Sequence, residues 1–160
     1  TYNLKAGIIR SGNIFGPGDL NMDRLVPHAI ISSLNKKSAV LRSNGKLIRD
    51  YIYVEDVSNA YFLLMNKMIK SKEKLRIYNV GSRENLTVIN LVKLIGSITN
   101  TKKIQPIIKN SSKIEIYKQK LNYRKIRKDL KWSPKFKLLD SLKVTIKWYE
   151  KNLSYFNDQN

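Results

Sequence analysis

Apolar positions along the chain switch between two periods, and the switches mark its elements. Ala6-Gly7-Ile8-Ile9-Arg10 is a short apolar run ending in Ser11-Gly12-Asn13, which predicts a buried strand entering a loop. Glycine, proline and small polar residues crowd positions 12–23, with Gly16-Pro17-Gly18-Asp19 at the centre. Leu25, Val26, Ala29, Ile30 and Leu34 then follow helical spacing, so a helix is predicted over 24–36. Pro27 falls in its first turn, where proline is tolerated. Residues 39–41 and 48–54 read as strands flanking Ser43-Asn44-Gly45, a hairpin signal. Val57, Ala60, Tyr61, Leu64 and Met68 predict a second helix, and residues 76–80 a strand ending at Gly81-Ser82. Thr87 is the expected N-cap of a third helix, with Val88, Leu91, Val92, Ile95 and Ile98 on one face. A strand at 104–108 carries Pro106, which suits a sheet edge. A short basic helix over 122–130, a break at Trp132-Ser133-Pro134 and a last helix ending near Asn152 complete the pattern, with 154–160 expected to fray. Strands alternating with helices predict an α/β or mixed α+β fold.

Composition narrows the chemistry. The 160 residues make one ordinary domain, long enough to bury a core. There is no cysteine, which excludes thiol catalysis, disulfides and cysteine-bound metal. His28 is the only histidine, which argues against a histidine-cluster metal site. No apolar run approaches the roughly 18 residues of a membrane span. The first residues lack a signal-peptide pattern, so a cytoplasmic protein with no membrane partner is expected.

The formal charge is +19, from 31 Lys+Arg against 12 Asp+Glu. Such an excess favours polyanions. A plainer cause is coding bias: Lys (23), Ile (19) and Asn (16) all have AT-rich codons, while Arg numbers only 8. The lysines are scattered, and aromatics do not interleave with them as they do in a base-stacking surface. A specific nucleic-acid partner is therefore not expected; a basic nucleic-acid-binding module stays as the reading from another class.

Generic motifs are mostly absent. The chain has no G-x-G-x-x-G and no G-x-x-x-x-G-K-[ST], and Gly12, Gly16 and Gly18 have the wrong spacing for either. It has no Y-x-x-x-K. Asp50, Glu55 and Asp56 cluster around Tyr51-Ile52-Tyr53. A general acid–base pair is one reading of them. The plainer one makes Asp56 a helix cap and Asp50 a strand anchor or a partner for a cation. His28 reads as a packed or surface residue, and Trp132 and Trp148 as core.

Four blocks, in order and across nearly the whole chain, carry a resemblance. Residues 10–18, Arg-Ser-Gly-Asn-Ile-Phe-Gly-Pro-Gly, resemble the R-x-x-N-x-[YF]-G-P segment of extended short-chain dehydrogenase/reductases acting on nucleotide sugars. Residues 48–56 resemble that family's RD-[YW]-x-[YF]-V-x-D stretch. Ile77-Tyr78-Asn79-Val80-Gly81 resembles its [FY]-N-[IV]-G strand. Leu130-Lys131-Trp132-Ser133-Pro134 with Trp148-Tyr149 resembles its LGW-x-P … WY ending, with Lys131 in place of glycine. Within this NAD-dependent epimerase/dehydratase family, residues 18–27 are most similar to CDP-glucose 4,6-dehydratases. Glu115-Ile116, Gln119 and Leu121 agree with that subgroup.

The resemblance covers the family's C-terminal half only. It implies the end of a Rossmann-like parallel sheet (residues 1–23) and a small mixed α/β nucleotide-sugar-binding domain (24–153), with a return to the Rossmann part near 48–80. The NAD turn, the Y-x-x-x-K pair and the elimination carboxylates would lie in the other half. The chain therefore reads as a fragment, inactive alone, with no catalytic proton-transfer residue of its own. It is also expected to expose apolar surface where the other half packs. NAD is the implied cofactor. The implied reaction takes a hydride from C4 of the hexose, eliminates water across C5 and C6, and returns the hydride to C6. The implied substrate-binding residues are Asn13, Arg24, Leu25, Val26, Arg49, Lys118 and Gln119, with Gly16 and Pro17 against the cofactor. Arg49, Tyr51 and Tyr53 share one face if their run is a strand. A guanidinium fork there suits a diphosphate. CDP-glucose is the favoured partner and a homodimer the implied assembly. A UDP- or dTDP-sugar 4-epimerase or 4,6-dehydratase, and an inactive remnant, remain as alternatives.

Overall fold

The computed structural model describes residues 4–111 and 116–157; Glu115 of the matching late segment lies outside them. Among the described residues, three small sheets and six helices make a mixed α/β fold. Strand β1 (Ala6–Ser11) runs parallel to β5 (Leu75–Val80), with Ile8 opposite Ile77. Strand β2 (Asn13–Phe15) runs parallel to β4 (Ile48–Tyr53), and β4 is antiparallel to β6 (Asn85–Thr87). Strand β3 (Val40–Leu41) pairs in parallel with β7 (Ile107–Ile108).

Helix α2 (Val54–Lys70) follows β4 directly and buries Val57, Ala60, Leu64 and Met68 along one stripe. That stripe joins Ile52, Tyr78 and Val80 in an apolar cluster with Ile126 of α4 (Arg124–Leu130) and Trp132. A second cluster gathers α1 (Leu25–Leu34), α3 (Val88–Ile98), α5 (Leu138–Lys151) and α6 (Leu153–Asn157) around Phe15, Tyr51 and Tyr53. Strand β4 separates the two clusters. Its side chains alternate, so Ile52 enters the first and Tyr51 and Tyr53 the second.

Asp50 on β4 is 0% exposed. Its carboxylate accepts from the backbone N–H of Ser82 (2.7 Å) and of Leu121 (3.0 Å). Gly12 and Gly81 pack against it only because they lack side chains. A Cβ on Gly12 would lie 2.5 Å from the Asp50 carbonyl oxygen, and one on Gly81 2.6 Å from its Oδ2. Asp50 is thus the strand anchor expected, joining β4 to the end of β5 and to the chain before α4.

Several expectations are corrected. Residues 39–41 and 48–54 form no hairpin: β3 and β4 lie in different sheets. The left-handed turn at Gly45 exists, but its carbonyl receives Ile89 N–H (3.0 Å) at the start of α3. Strand 104–108 shrinks to the exposed Ile107–Ile108, after Pro106. Strand β1 is not buried. Ile8 is 41% exposed, because among the described residues β1 has a strand neighbour on one side only. Asp56 does not cap α2, whose N-cap is Tyr53. Its carboxylate instead accepts from Lys135 N–H (2.8 Å) and Phe136 N–H (3.4 Å). Residues 153–157 are helical rather than frayed, since Phe156 is buried against Tyr149 at 5.2 Å between ring centroids.

Thr87 caps α3 as expected, accepting from Asn90 N–H. Trp132 is buried and donates Nε1–H to the Asp56 carbonyl (3.0 Å). The outer side of α2 leaves Tyr61, Phe62, Met65 and Ile69 at least half exposed, the kind of apolar surface the resemblance implied. Lys131, in place of the family's glycine, sits at φ 55° as the C-cap of α4, a conformation that favours glycine.

Two stability changes follow. Asp50→Ala leaves two buried N–H groups without their acceptor and should cost about 2–4 kcal/mol in urea unfolding. Lys131→Gly relieves the left-handed backbone and should add about 0.5–1 kcal/mol by the same measurement. A loss of stability from Lys131→Gly would show that the lysine side chain contributes more than its backbone costs.

Candidate functional site

The loop after β1 and β2, the start of α1 and the start of β4 enclose a cavity of about 270 Å³. Asn13, Arg24, Leu25, Val26 and Arg49 line it, all named from the sequence, and Asp23, Tyr51 and Val88 complete its walls. A second cavity of about 400 Å³ adjoins it through the shared residues Asp23, Leu25 and Val88. His28, Val40, Leu41, Arg42 and Lys109 belong to the second alone. Two adjoining compartments of this size, with mixed apolar and polar walls and cations at several points, suit an elongated anionic ligand.

Each cation is held differently. Arg24 Nη2 donates to the Ile14 carbonyl (2.7 Å), and Nη1 meets Asp19 Oδ2 at 2.9 Å. Arg49 Nη1 donates to the carbonyls of Ile48 (3.0 Å) and Ile116 (2.7 Å). Arg42 pairs with Asp23 at 2.5 Å, with both side chains largely exposed, where an ion pair contributes little. The Tyr51 hydroxyl is buried and has no hydrogen-bond partner among the described residues. Burial raises its pKa, so it is a neutral O–H donor. Asn13 lies opposite Tyr51 across the β2–β4 pair.

Lys118 and Gln119 are not among the lining residues. Their segment runs beside the first residue of β4: Gln119 N–H donates to the Ile48 carbonyl (3.0 Å), and Lys118 bridges Ile48 in parallel. Gly16 is buried, and a Cβ there would lie 2.4 Å from Val54 Cγ1, so its bare backbone serves the packing of the loop on α2. Pro17 beside it is half-buried. The sequence carries no glycine-rich phosphate turn, so these residues do not include the phosphate-holding part of a dinucleotide site. Asp50 and Asp56 are committed to backbone donors, which removes the acid–base pair reading. Among the described residues no group of three or more His, Asp or Glu could hold a metal ion, and no helix is long and apolar enough to cross a membrane.

Sequence reasoning missed part of the wall. Tyr51 had a signal, two residues beyond Arg49 on one strand face. His28 had a weaker one, four residues after Arg24 on α1. Val88 and Lys109 carried none, since distant parts of the chain deliver them.

A sequence model of the NAD dependent epimerase/dehydratase family matches residues 1–81. The chain belongs to this family. A trifunctional UDP-glucose 4,6-dehydratase/UDP-4-keto-6-deoxy-D-glucose 3,5-epimerase/UDP-4-keto-L-rhamnose-reductase of Arabidopsis thaliana is 27% identical over 162 residues. The match covers 99% of this chain and 23% of that protein. The dTDP-glucose 4,6-dehydratase of Escherichia coli is 26% identical over 171 residues, covering 98% of this chain and 45% of the enzyme. The chain thus spans less than half the length of either relative. The crystal structure of UDP-glucose 4-epimerase from Thermotoga maritima, with UDP-glucose, superimposes with a TM-score of 0.83 at 30% identity. It covers 95% of this chain and 48% of that one. The epimerase/dehydratase fold is therefore present from β1 to α6.

His28 gives this member a pH signature. Its Nε2 accepts from Val40 N–H at 2.9 Å, which only the neutral ring can do. Burial, then the nearby Arg42, hold its pKa below the usual 6.5. The sign is that of a depressed base: its contribution is complete above pH 6.5 and is lost as pH falls through the lower folded value. Melting temperature should therefore fall between pH 7.5 and 5, and His28→Gln should flatten that slope, as read by thermal unfolding.

Proposed function

We propose that this chain is the nucleotide-sugar-binding half of a nucleotide-glucose 4,6-dehydratase. The observation that carries the reading is the convergence of Asn13, Arg24 and Arg49 on one cavity that shares wall residues with a second. The two guanidinium groups hold the diphosphate by charge-assisted hydrogen bonds. Asn13 offers donors and an acceptor to a sugar hydroxyl or a phosphate oxygen. Tyr51 adds one donor whose hydrogen bond is otherwise unmade. Leu25 and Val26 floor the sugar compartment and keep water from it. The second cavity, walled by Leu25, Val40 and Leu41, takes the nucleoside.

NAD, when bound, supplies hydride acceptance at C4 of the hexose and hydride return at C6. Its phosphates are held by the part of the whole protein that carries a glycine-rich turn, and the groups that move protons lie there too. This chain binds and orients the sugar nucleotide.

CDP-glucose is the first candidate substrate, from residues 18–27; UDP- and dTDP-glucose are supported by the relatives' activities. A 4-epimerase is the second reading, favoured by the 30% identity to the UDP-glucose 4-epimerase. The complete protein assayed on CDP-, UDP- and dTDP-glucose separates them: a 4-keto-6-deoxy product supports the dehydratase, and interconversion of UDP-glucose with UDP-galactose overturns it. Arg49→Ala should weaken nucleotide-sugar binding by about 1.5–3 kcal/mol, measured calorimetrically. Unchanged affinity would remove Arg49 from the site.

A further inference from the structure

Arg24 is the cavity cation whose support can be followed furthest into the protein. Its guanidinium is gripped from one side by the Asp19 carboxylate and the Ile14 carbonyl. Asp19 belongs to the loop between β2 and α1, which is short of apolar anchors; Leu20 within it is 53% exposed. The loop is fixed from elsewhere. Tyr149 of α5, 0% exposed, donates its hydroxyl to the Asp19 backbone carbonyl at 2.5 Å. The ring of Tyr149 is itself wedged between Trp148 (5.1 Å) and Phe156 (5.2 Å), in the cluster that also holds α1. Asp19 Oδ1 accepts in turn from Asn21 N–H, and Asn21 Oδ1 from Asp23 N–H. The loop is a run of polar turns, packed on the cluster at Met22 and tethered to it by the hydrogen bond from Tyr149.

We propose that Tyr149 and Asp19 are positioning residues for Arg24, so that the last long helix sets the geometry of the cation at the ligand cavity. The inference rests on the nucleotide-sugar reading of that cavity. Its physical content is narrow. Without the tether, Asp19 is free to swing and Arg24 loses its fixed counter-charge. An arginine carries several rotatable bonds, and a ligand would then have to order them on binding. The aromatic stack supplies the rigidity, and the hydroxyl transmits it.

Tyr149→Phe removes one oxygen and keeps the ring; Asp19→Asn keeps the backbone carbonyl and removes the charge. Amide hydrogen exchange and calorimetric titration with CDP-, UDP- and dTDP-glucose test both variants in the complete protein. Tyr149→Phe is expected to speed exchange over residues 19–24 while the amides of α5 stay as protected as in the parent protein. It is expected to weaken the bound sugar nucleotide about three- to tenfold. The same change made on top of Arg24→Ala is expected to weaken it no further, since its effect passes through Arg24. Unchanged exchange over 19–24, or additive losses in the double variant, would overturn the proposal; so would loosening confined to α5. If the complete parent protein takes up none of the three sugar nucleotides, the nucleotide-sugar reading falls. Exchange over 19–24 then still decides whether Tyr149 and Asp19 hold the loop.

Discussion

A single buried carboxylate fixes the strand on which the site is built. Asp50 satisfies Ser82 N–H and Leu121 N–H, and two glycines leave room for those contacts. Burying a carboxylate is costly unless its oxygens are hydrogen-bonded. That requirement makes the register of β4 against its surroundings strict. Shifting β4 by one residue would put Asp50 among the apolar rings and turn Tyr51 toward the cluster that holds Ile52. Arg49 and Tyr51 reach the cavity because Asp50, between them in sequence, faces the other way.

The remaining site chemistry depends on the loop from β2 to α1. It carries few apolar anchors, yet it bears Arg24 and leads into Leu25 and Val26. The restraint comes from backbone carbonyls and short polar turns near the cavity, and from the aromatic group of α5 and α6 farther off. The fold that carries this loop is shared with the UDP-glucose 4-epimerase of Thermotoga maritima over 95% of this chain. The large positive charge belongs mostly to exposed lysines away from the cavity. Among the described lysines and arginines, only Arg24, Arg42, Arg49 and Lys109 line its two compartments.

Local pattern was a good guide wherever local energetics decide. The stripe Val57, Ala60, Leu64, Met68 faces one cluster because helical spacing puts it there, and Thr87 caps because its hydroxyl meets a free N–H. Asn44-Gly45 did turn the chain, as glycine at positive φ allows. The pattern could not say what the turn joins. A hairpin needs the two strands to be mutual best partners, and β3 and β4 each found a partner distant in sequence. The same limit hid the role of Asp56: a carboxylate near a helix start looks like a cap, but Lys135 and Phe136, about 80 residues on, hold it.

By itself the sequence determined the alternation of elements and the absence of thiol chemistry and of a dinucleotide phosphate turn from these 160 residues, which are matters of spacing and side-chain chemistry that need no partner. Asn13, Arg24, Leu25, Val26 and Arg49 were named through the family resemblance, and the fold brings them to one cavity. Only the tertiary structure decided that Lys118 and Gln119 stand outside the lining, that Gly16 serves packing against Val54, and that His28, Val88 and Lys109 complete the walls. Those facts arise from long-range pairing and close packing, where a residue's role is set by neighbours that the chain's order does not reveal.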